Sequence, residues 1–409
     1  MLTNENIESL PRNKNLSQTQ AMCPSCGNKD LSIFYEIDKV PVHSCLMLSS
    51  EQEASDFPSD SIALGVCNQC GFITNTQFDS KWSAYASNYE DQQSFSPTFN
   101  GFARQLAQGL VDKYDLYEKD IVEIGCSKGD FLLLLCELGN NRGVGIDPSV
   151  VPGRVPSEAA NRVKFIQEYY SISHSKFVGD FICCRHTLEH IHLTYEFVQT
   201  IRASIGDRLN TSVFFEIPDT TRVLKDLSFE DIYYEHCSYF TPGSLARLFR
   251  LCNFEVIDLY RAYNDQYLLI EVLPVETTSN KVHPLEESLD ELQQFVESFT
   301  EQIHQKLEYW RRHLSQMYAQ GKKVVIWGSG SKCVAFLTTL GMYDEVQYIV
   351  DINPYRHGKF IPGVAKEIVS PEFLRVCKPD QIIVMNSIYC LEIQAMLTDM
   401  GVEAEVVSI

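Results

Sequence analysis

A strand that runs into a glycine turn and then a helix restricts this chain more than any other segment. Val122-Glu123-Ile124-Gly125-Cys126-Ser127-Lys128-Gly129 gives an apolar strand and two glycines four apart, and a leucine-rich run follows from Phe131. Such a turn presents backbone N–H groups at a helix N-terminus, where a polar ligand is held. Gly125 and Gly129 let that ligand approach the backbone. A second strand, Gly143–Asp147, ends in a carboxylate placed to accept from a ribose diol. A dinucleotide and S-adenosylmethionine both carry that ribose. The turn lacks Gly-x-Gly-x-x-Gly spacing and has Glu123 ahead of its first glycine, which favours S-adenosylmethionine; an ordinary strand-to-helix turn is the plain alternative. The predicted cofactor contacts are Glu123, Gly125, Ser127, Gly129 and Asp147.

The pattern around this turn alternates strand and helix. Further strands are predicted at Phe177–Cys184 and Thr211–Ile217, a helix at Leu245–Cys252, and late strands at Phe254–Leu259 and Tyr267–Val272. Alternation of this kind implies an α/β fold with a parallel sheet covered by helices. Residues 81–117 read as helical, with Phe102, Leu106, Leu110 and Tyr114 on one face. From 284 to 320 apolar residues recur at three, four or seven, which predicts a long amphipathic connector helix. A second unit follows: strand Lys323–Trp327, turn Gly328–Gly330, helix Cys333–Leu340 and strand Tyr348–Asp351. The expected organisation is a flexible tail 1–20, a metal-binding domain 21–80, a cofactor-binding domain 81–275, and the long helix with a C-terminal Rossmann-like domain, 276–409.

Cys23-Pro-Ser-Cys26 and Cys67-Asn-Gln-Cys70 are each followed by glycine. Two such pairs supply four soft ligands for a closed, structural zinc site. Cys45 and His43, lying between them, are competing ligands at lower weight. The other cysteines are scattered and read as small core residues. The 409-residue chain has a net charge of -20, which repels nucleic-acid backbones and anionic membranes. No apolar run is long enough to span a bilayer, and Met1 to Gln20 lacks the apolar core of a secretory signal, so a cytoplasmic location is expected.

Tyr233-Tyr234-Glu235-His236 puts an imidazole, a carboxylate and two phenols together. An imidazole titrates near neutrality and can take a proton, a carboxylate can orient it, and phenols can donate to an oxyanion. A satisfied core histidine is the plain alternative.

Val122-Glu123-Ile124-Gly125, Ile146-Asp147 and Arg185-His186-Thr187-Leu188-Glu189-His190 resemble the successive motifs of class I methyltransferases. Ser127 stands where many members have glycine. The resemblance places His186 and Thr187 near the methionine end of the cofactor; His190 is read either so or as satisfying a helix start. The whole layout resembles the sugar C-methyltransferases of nucleotide-linked deoxy-4-ketosugars, with a four-cysteine zinc domain, a class I domain and a C-terminal α/β domain. That resemblance implies that His236 is the base, deprotonating the carbon next to a ketone so that the enolate takes the methyl group. It implies assistance from Glu235 and Tyr233, and a substrate-facing tyrosine at Tyr85 or Tyr89. Tyr234 is read as a substrate contact. Two departures, Asn264-Asp265-Gln266-Tyr267-Leu268 and Gly328-Ser329-Gly330-Ser331-Lys332, fall where substrate would bind. Lys332 at a helix start suits a substrate phosphate, or else this unit only shields the site. The chain is expected to act on a small molecule, as a monomer or weak oligomer, without nucleic acid or membrane. An O- or N-methyltransferase, a zinc-ribbon RNA modifier and a dehydrogenase using the C-terminal turn are the rival readings.

Overall fold

The computed structural model describes residues 17–19, 21–82, 85, 88–177, 179–279 and 281–409. Of the expected tail, only Ser17–Thr19 falls among these, and it forms a strand, β1, on β2 (Leu31–Pro41). The antiparallel sheet continues through β3 (Ser59–Cys67) and β4 (Ile73–Asn75). Its fifth strand, β10 (Ser238–Tyr239), comes from far along the chain and pairs with β4. The segment that carries His236 is therefore stitched into the N-terminal sheet two residues later.

The central sheet contains β5 (Asp120–Ile124), β6 (Arg142–Ile146), β7 (Val163–Ile166), β8 (Phe181–Arg185), β9 (Ser212–Pro218), β11 (Phe254–Ala262) and β12 (Tyr267–Pro274), in the order β11-β12-β9-β8-β5-β6-β7. Pairs from β7 through β9 are parallel, and β12 runs antiparallel to both β9 and β11. β8 is buried along its whole length, as a strand covered on both faces must be. The chain crosses from β7 back to β8 on the other side of β5. This opens a crevice at the strands' C-terminal ends, where ligands bind in such sheets. β7 was not expected from sequence: Val-Lys-Phe-Ile at a half-buried edge carries little pattern.

The helix expected over 81–117 occupies only Pro97–Lys113. Pro97 cannot sit inside a helix, but at the first position its missing N–H costs nothing. Ser96 caps the helix by accepting from Phe99 N–H at 3.2 Å. Upstream, residues 88–95 form no regular element and instead cross the crevice.

The third sheet is parallel throughout: β13 (Val324–Trp327), β14 (Tyr348–Val350), β15 (Ile368–Val369), β16 (Gln381–Val384) and β17 (Glu405–Ser408), in the order β15-β14-β13-β16-β17. The connector helix runs Leu289–Ala319, started by a capping box between Ser288 and Glu291. Its buried stripe packs Phe299 edge-on against Phe34 and Tyr35 of the first sheet, and Trp310 against Phe336 of the helix Ser331–Leu340 that follows β13. One hydrophobic core thus spans both sheets. Among the described residues no helix is long and apolar enough to cross a membrane.

Candidate active site

The C-terminal ends of the central and third sheets face a shared cavity of about 730 Å³. On the central side the glycine turn behaves as its spacing requires. Gly125 has a φ of +71°, and a Cβ there would lie 1.9 Å from Thr187 Oγ1. Gly129 has a φ of +90°, and its Cβ would meet Phe165 at 2.4 Å. Asp147 accepts from Ser127 N–H at 2.8 Å and Ser149 N–H at 2.6 Å. A carboxylate has about four acceptor positions, so two remain for a diol. Glu123 is buried beside the turn with Oε2 lacking a donor, and burial, opposed by Arg185, raises its carboxyl to about 8. Asp91, Glu123, Asp130 and Asp147 all line this end, a setting that suits a cationic cofactor with hydroxyl and ammonium donors. The residues present therefore fit S-adenosylmethionine.

His186 follows β8 with a φ of +48°, an uncommon conformation for a side chain this large. It lies between Glu216, 2.8 Å from Nε2, and Glu189, 3.7 Å from Nδ1. Burial opposes its charge, but the two carboxylates win and raise the imidazole to about 9. Glu216 is held down at about 2 against its own burial, chiefly by the two-pronged Arg185 and then by His186. His186 is thus a fixed cation in the cavity wall.

His236 differs. Burial first, then His190, His186 and Lys332, depress it well below its ordinary value, so it is neutral at pH 7. The Tyr233 hydroxyl lies 2.7 Å from Nε2 and fixes the ring. His190 stands edge-on to it, with ring centroids 4.8 Å apart. Nδ1 of His190 is 3.1 Å from the Glu235 carbonyl, which can only accept, so this nitrogen carries the proton; it is also 2.9 Å from the Tyr85 hydroxyl. Tyr85 and Tyr89 both line the cavity, and burial raises both phenols, and that of Tyr233, well above the usual range. They remain protonated donors at neutral pH.

Two sequence expectations change here. Glu235 does not face the His236 ring. Its carboxylate accepts from His43 Nδ1 at 2.9 Å, from Ser44 N–H at 2.7 Å and from the Ser44 hydroxyl. These contacts hold its carboxyl below the usual range despite burial. Tyr234 is turned away from the cavity: its hydroxyl accepts from Asp79 N–H at 2.9 Å, and its ring packs on Phe78 within the core. Tyr233 to His236 form a turn closed by His236 N–H donating to the Tyr233 carbonyl at 3.1 Å, with Tyr233 on the cavity wall and Tyr234 in the core. The carboxylate near His236 is Glu189, buried with Oε2 unpartnered. Glu189, His190 and His236 each bring one ligand-type atom within 4.8 Å of the others. Sequence reasoning gave Glu189 no role, and its signal was only its place in the Leu188-Glu189-His190 run.

Away from the cavity, Cys23 Sγ lies 3.7 Å from Cys70 Sγ, and Cys26 Sγ 3.6 Å from Cys67 Sγ, with all four sulfurs within 4.8 Å. Tetrahedral zinc with Zn–S near 2.3 Å sets its sulfurs about 3.8 Å apart, so the quartet fits that ion. Gly27 and Gly71 close the two knuckles, each donating to the first cysteine's carbonyl at 2.8 Å. His43 and Cys45 are not part of the quartet; His43 holds Glu235, and Cys45 lines the cavity. On the third sheet, Lys332 lines the cavity and donates to Asp231 Oδ2 at 2.6 Å.

Residues 99–259 match the family model described as a methyltransferase domain, and residues 278–404 the one described as a C-methyltransferase C-terminal domain. C-methyltransferase NovU of Streptomyces niveus is 24% identical over 393 residues, spanning 91% of this chain and 90% of that protein. Among solved structures, 1,6-didemethyltoxoflavin-N1-methyltransferase of Burkholderia thailandensis is 16% identical with a TM-score of 0.32, covering 42% of this chain and 79% of its own. Magnesium protoporphyrin IX methyltransferase of Synechocystis PCC 6803 is 12% identical with a TM-score of 0.35, covering 43% and 84%. The two family matches lie in tandem on the central and third sheets, with the cofactor turn inside the first. The chain is an S-adenosylmethionine-dependent methyltransferase in which a stretch matching the methyltransferase domain model is followed by one matching the C-methyltransferase C-terminal domain model.

Proposed function

We propose that this enzyme methylates the carbon next to a ketone on a nucleotide-linked deoxysugar, with His236 as the base. The observation that carries this reading is a neutral, buried imidazole sharing one cavity with the cofactor turn. When bound, S-adenosylmethionine supplies an electrophilic methyl group. His236 takes the proton from the substrate carbon, and the electron pair of that C–H bond moves into an enolate. Glu189, close by and with its Oε2 unpartnered, stabilises the imidazolium that forms. The protonated hydroxyls of Tyr85 and Tyr89 are the donors available to the enolate oxygen. Tyr233 keeps the imidazole in place, and Glu235 positions it by fixing the backbone of its neighbour. The cysteine quartet holds one structural zinc. Lys332 takes part in holding the substrate phosphates. The protein works in the cytoplasm as a monomer or weak oligomer; its net charge of -20 argues against an RNA-modifying role.

The test is to incubate the protein with S-adenosylmethionine and a panel of nucleotide-linked 4-ketosugars, and to locate the methyl by mass spectrometry and carbon NMR. A carbon-bound methyl beside the ketone is expected. A methyl on oxygen or nitrogen overturns the enolate mechanism and favours the O- or N-methyltransferase reading.

A further inference from the structure

We propose that Arg222 and Lys332 form a two-cation clamp for a diphosphate, gripping it between the central and third sheets. This rests on the reading of the substrate as nucleotide-linked and assigns the part of that substrate that the cavity recognises by charge.

Lys332 Nζ and Arg222 Nη1 both reach the same oxygen, Asp231 Oδ2, at 2.6 and 3.0 Å. All three side chains line the cavity, and each cation is 22% exposed. Two cations thus share one carboxylate at the cavity wall. The other lining arginines are matched there: Arg185 is bound by both oxygens of Glu216, and Arg356 lies 3.5 Å from Asp351 and also donates to Ser329 Oγ and the Glu90 carbonyl. Asp226 approaches Arg222 Nε at 3.5 Å, but it is 60% exposed and does not line the cavity. Glu230, next to Asp231, is buried and also absent from the wall.

The placement fits an elongated anion. Arg222 sits on the short helix Thr220–Lys225, which leaves the C-terminal end of β9. Lys332 sits in the first turn of the helix Ser331–Leu340, which has no side-chain cap; Gly328, Gly330 and Ser331 of that turn also face the cavity. Asp231 precedes Tyr233 by two residues and His236 by five, so an anion held here lies next to the proposed base. A guanidinium offers paired donors and an ammonium offers a compact charge, which together suit two linked phosphoryl groups. Before substrate arrives, Asp231 holds both cations in place.

Binding separates the clamp from a simple tie between sheets. With S-adenosylhomocysteine saturating the cofactor site, UDP, TDP, inorganic pyrophosphate, uridine and thymidine are titrated by calorimetry at two salt concentrations. The diphosphates and pyrophosphate should bind in a salt-sensitive way, and the nucleosides at least tenfold more weakly. Arg222→Gln and Lys332→Gln should each weaken UDP binding by about tenfold or more, while Arg142→Gln, on the far surface, should not. Asp231→Asn is decisive, because it breaks the same ion pairs and keeps both cations. The clamp requires UDP to bind it at least as tightly as the unaltered protein; a mere tie requires the same loss as Arg222→Gln. Equal binding of uridine and UDP, or unchanged UDP binding in both cation variants, overturns the proposal. No methyl transfer enters this readout. Failure of carbon methylation with the clamp intact would sink the reaction reading alone, and the converse would sink the clamp alone.

Discussion

Replacing Glu235 by glutamine and by alanine separates a catalytic carboxylate from a positioning one. Its carboxylate is buried and accepts three hydrogen bonds, from His43 Nδ1, Ser44 N–H and the Ser44 hydroxyl. Glutamine keeps an acceptor but loses the charge, which weakens each retained bond by about 1 kcal/mol and costs about 2 kcal/mol overall. Alanine leaves the donors buried and unpaired, and a loss of about 3–5 kcal/mol follows. Because Glu235 precedes His236, slippage here misplaces the base, and a shift of about 1 Å lowers the rate by roughly a hundredfold. Two assays read the two effects: urea unfolding, and washout of substrate deuterium into solvent with S-adenosylhomocysteine bound, which reports proton removal without transfer. Glu235→Gln should lose stability and washout together. The stability difference has a sign that can be checked. The folded carboxyl is held below its unfolded value of about 4.3, so its contribution is present above that value and disappears as pH falls through the folded one. Washout abolished with stability intact would mean that Glu235 acts on the substrate, and the reasoning here would be wrong.

His236→Asn should cut both washout and methyl transfer by about 10²–10⁴ and leave S-adenosylhomocysteine affinity unchanged; retained washout would place the base elsewhere. Because His236 is held well below 6.5, kcat/KM should show no acid limb near that pH, and a limb there would show a ring exposed to water. Gly125→Ala places a Cβ 1.9 Å from Thr187 Oγ1 at a φ of +71°, so cofactor affinity measured by calorimetry should fall at least about tenfold, given a left-handed cost of about 1–2 kcal/mol. Metal analysis should return one zinc per chain, lost in Cys67→Ser and kept in His190→Gln. A second equivalent that disappears with His190 would put a metal at the reacting centre.

The parts of this site that sequence makes visible are those whose geometry is local. Gly125, Gly129 and Asp147 follow from one strand-turn-helix and the strand after it. The two knuckles follow from two Cys-x-x-Cys-Gly runs, although their meeting spans more than forty positions. Glu189 and His190 were harder, because Leu-Glu-His reads equally as a helix start; only the adjacency of β8 to β5 and β9 brings it to the Tyr233–His236 segment. Glu235 and Tyr234 were misjudged because the turn from Tyr233 to His236 sends neighbouring side chains in different directions, and the sequence does not say which of them meets the cavity. Lys332 was visible as a cation at a helix start, but its partner Asp231 lies 101 positions away. The crossing before Pro97 was read as helix because the periodic face from Phe102 to Tyr114 was extended upstream past the proline that starts the helix.

On the proposed reading of His236 as the base, its depressed basicity explains why three sheets build one site. A base depressed by burial has little thermodynamic pull on a carbon acid, so the rate must come from donors that stabilise the enolate and from a geometry that is already in place. The structure fixes that geometry from several directions. The Cys237 carbonyl accepts from Asn75 N–H at 3.0 Å and from Thr74 Oγ1 at 2.9 Å, pinning the base segment to the first sheet. Tyr89 is bridged to Leu46 of that N-terminal region, and its carbonyl accepts from the buried Lys128 of the cofactor turn at 2.8 Å. Ser127 of the same turn donates to Asp91 at 2.7 Å, and Glu90 between them is held by Arg154 and by Asn353 of the third sheet. Residues 89–91 are thus tied to all three sheets at once, so a displacement of the cofactor turn, the first sheet or the third is felt at Tyr89 in the cavity wall. A single class I sheet could bind the cofactor alone; holding an enolate among several phenols and away from water needs walls that it does not have.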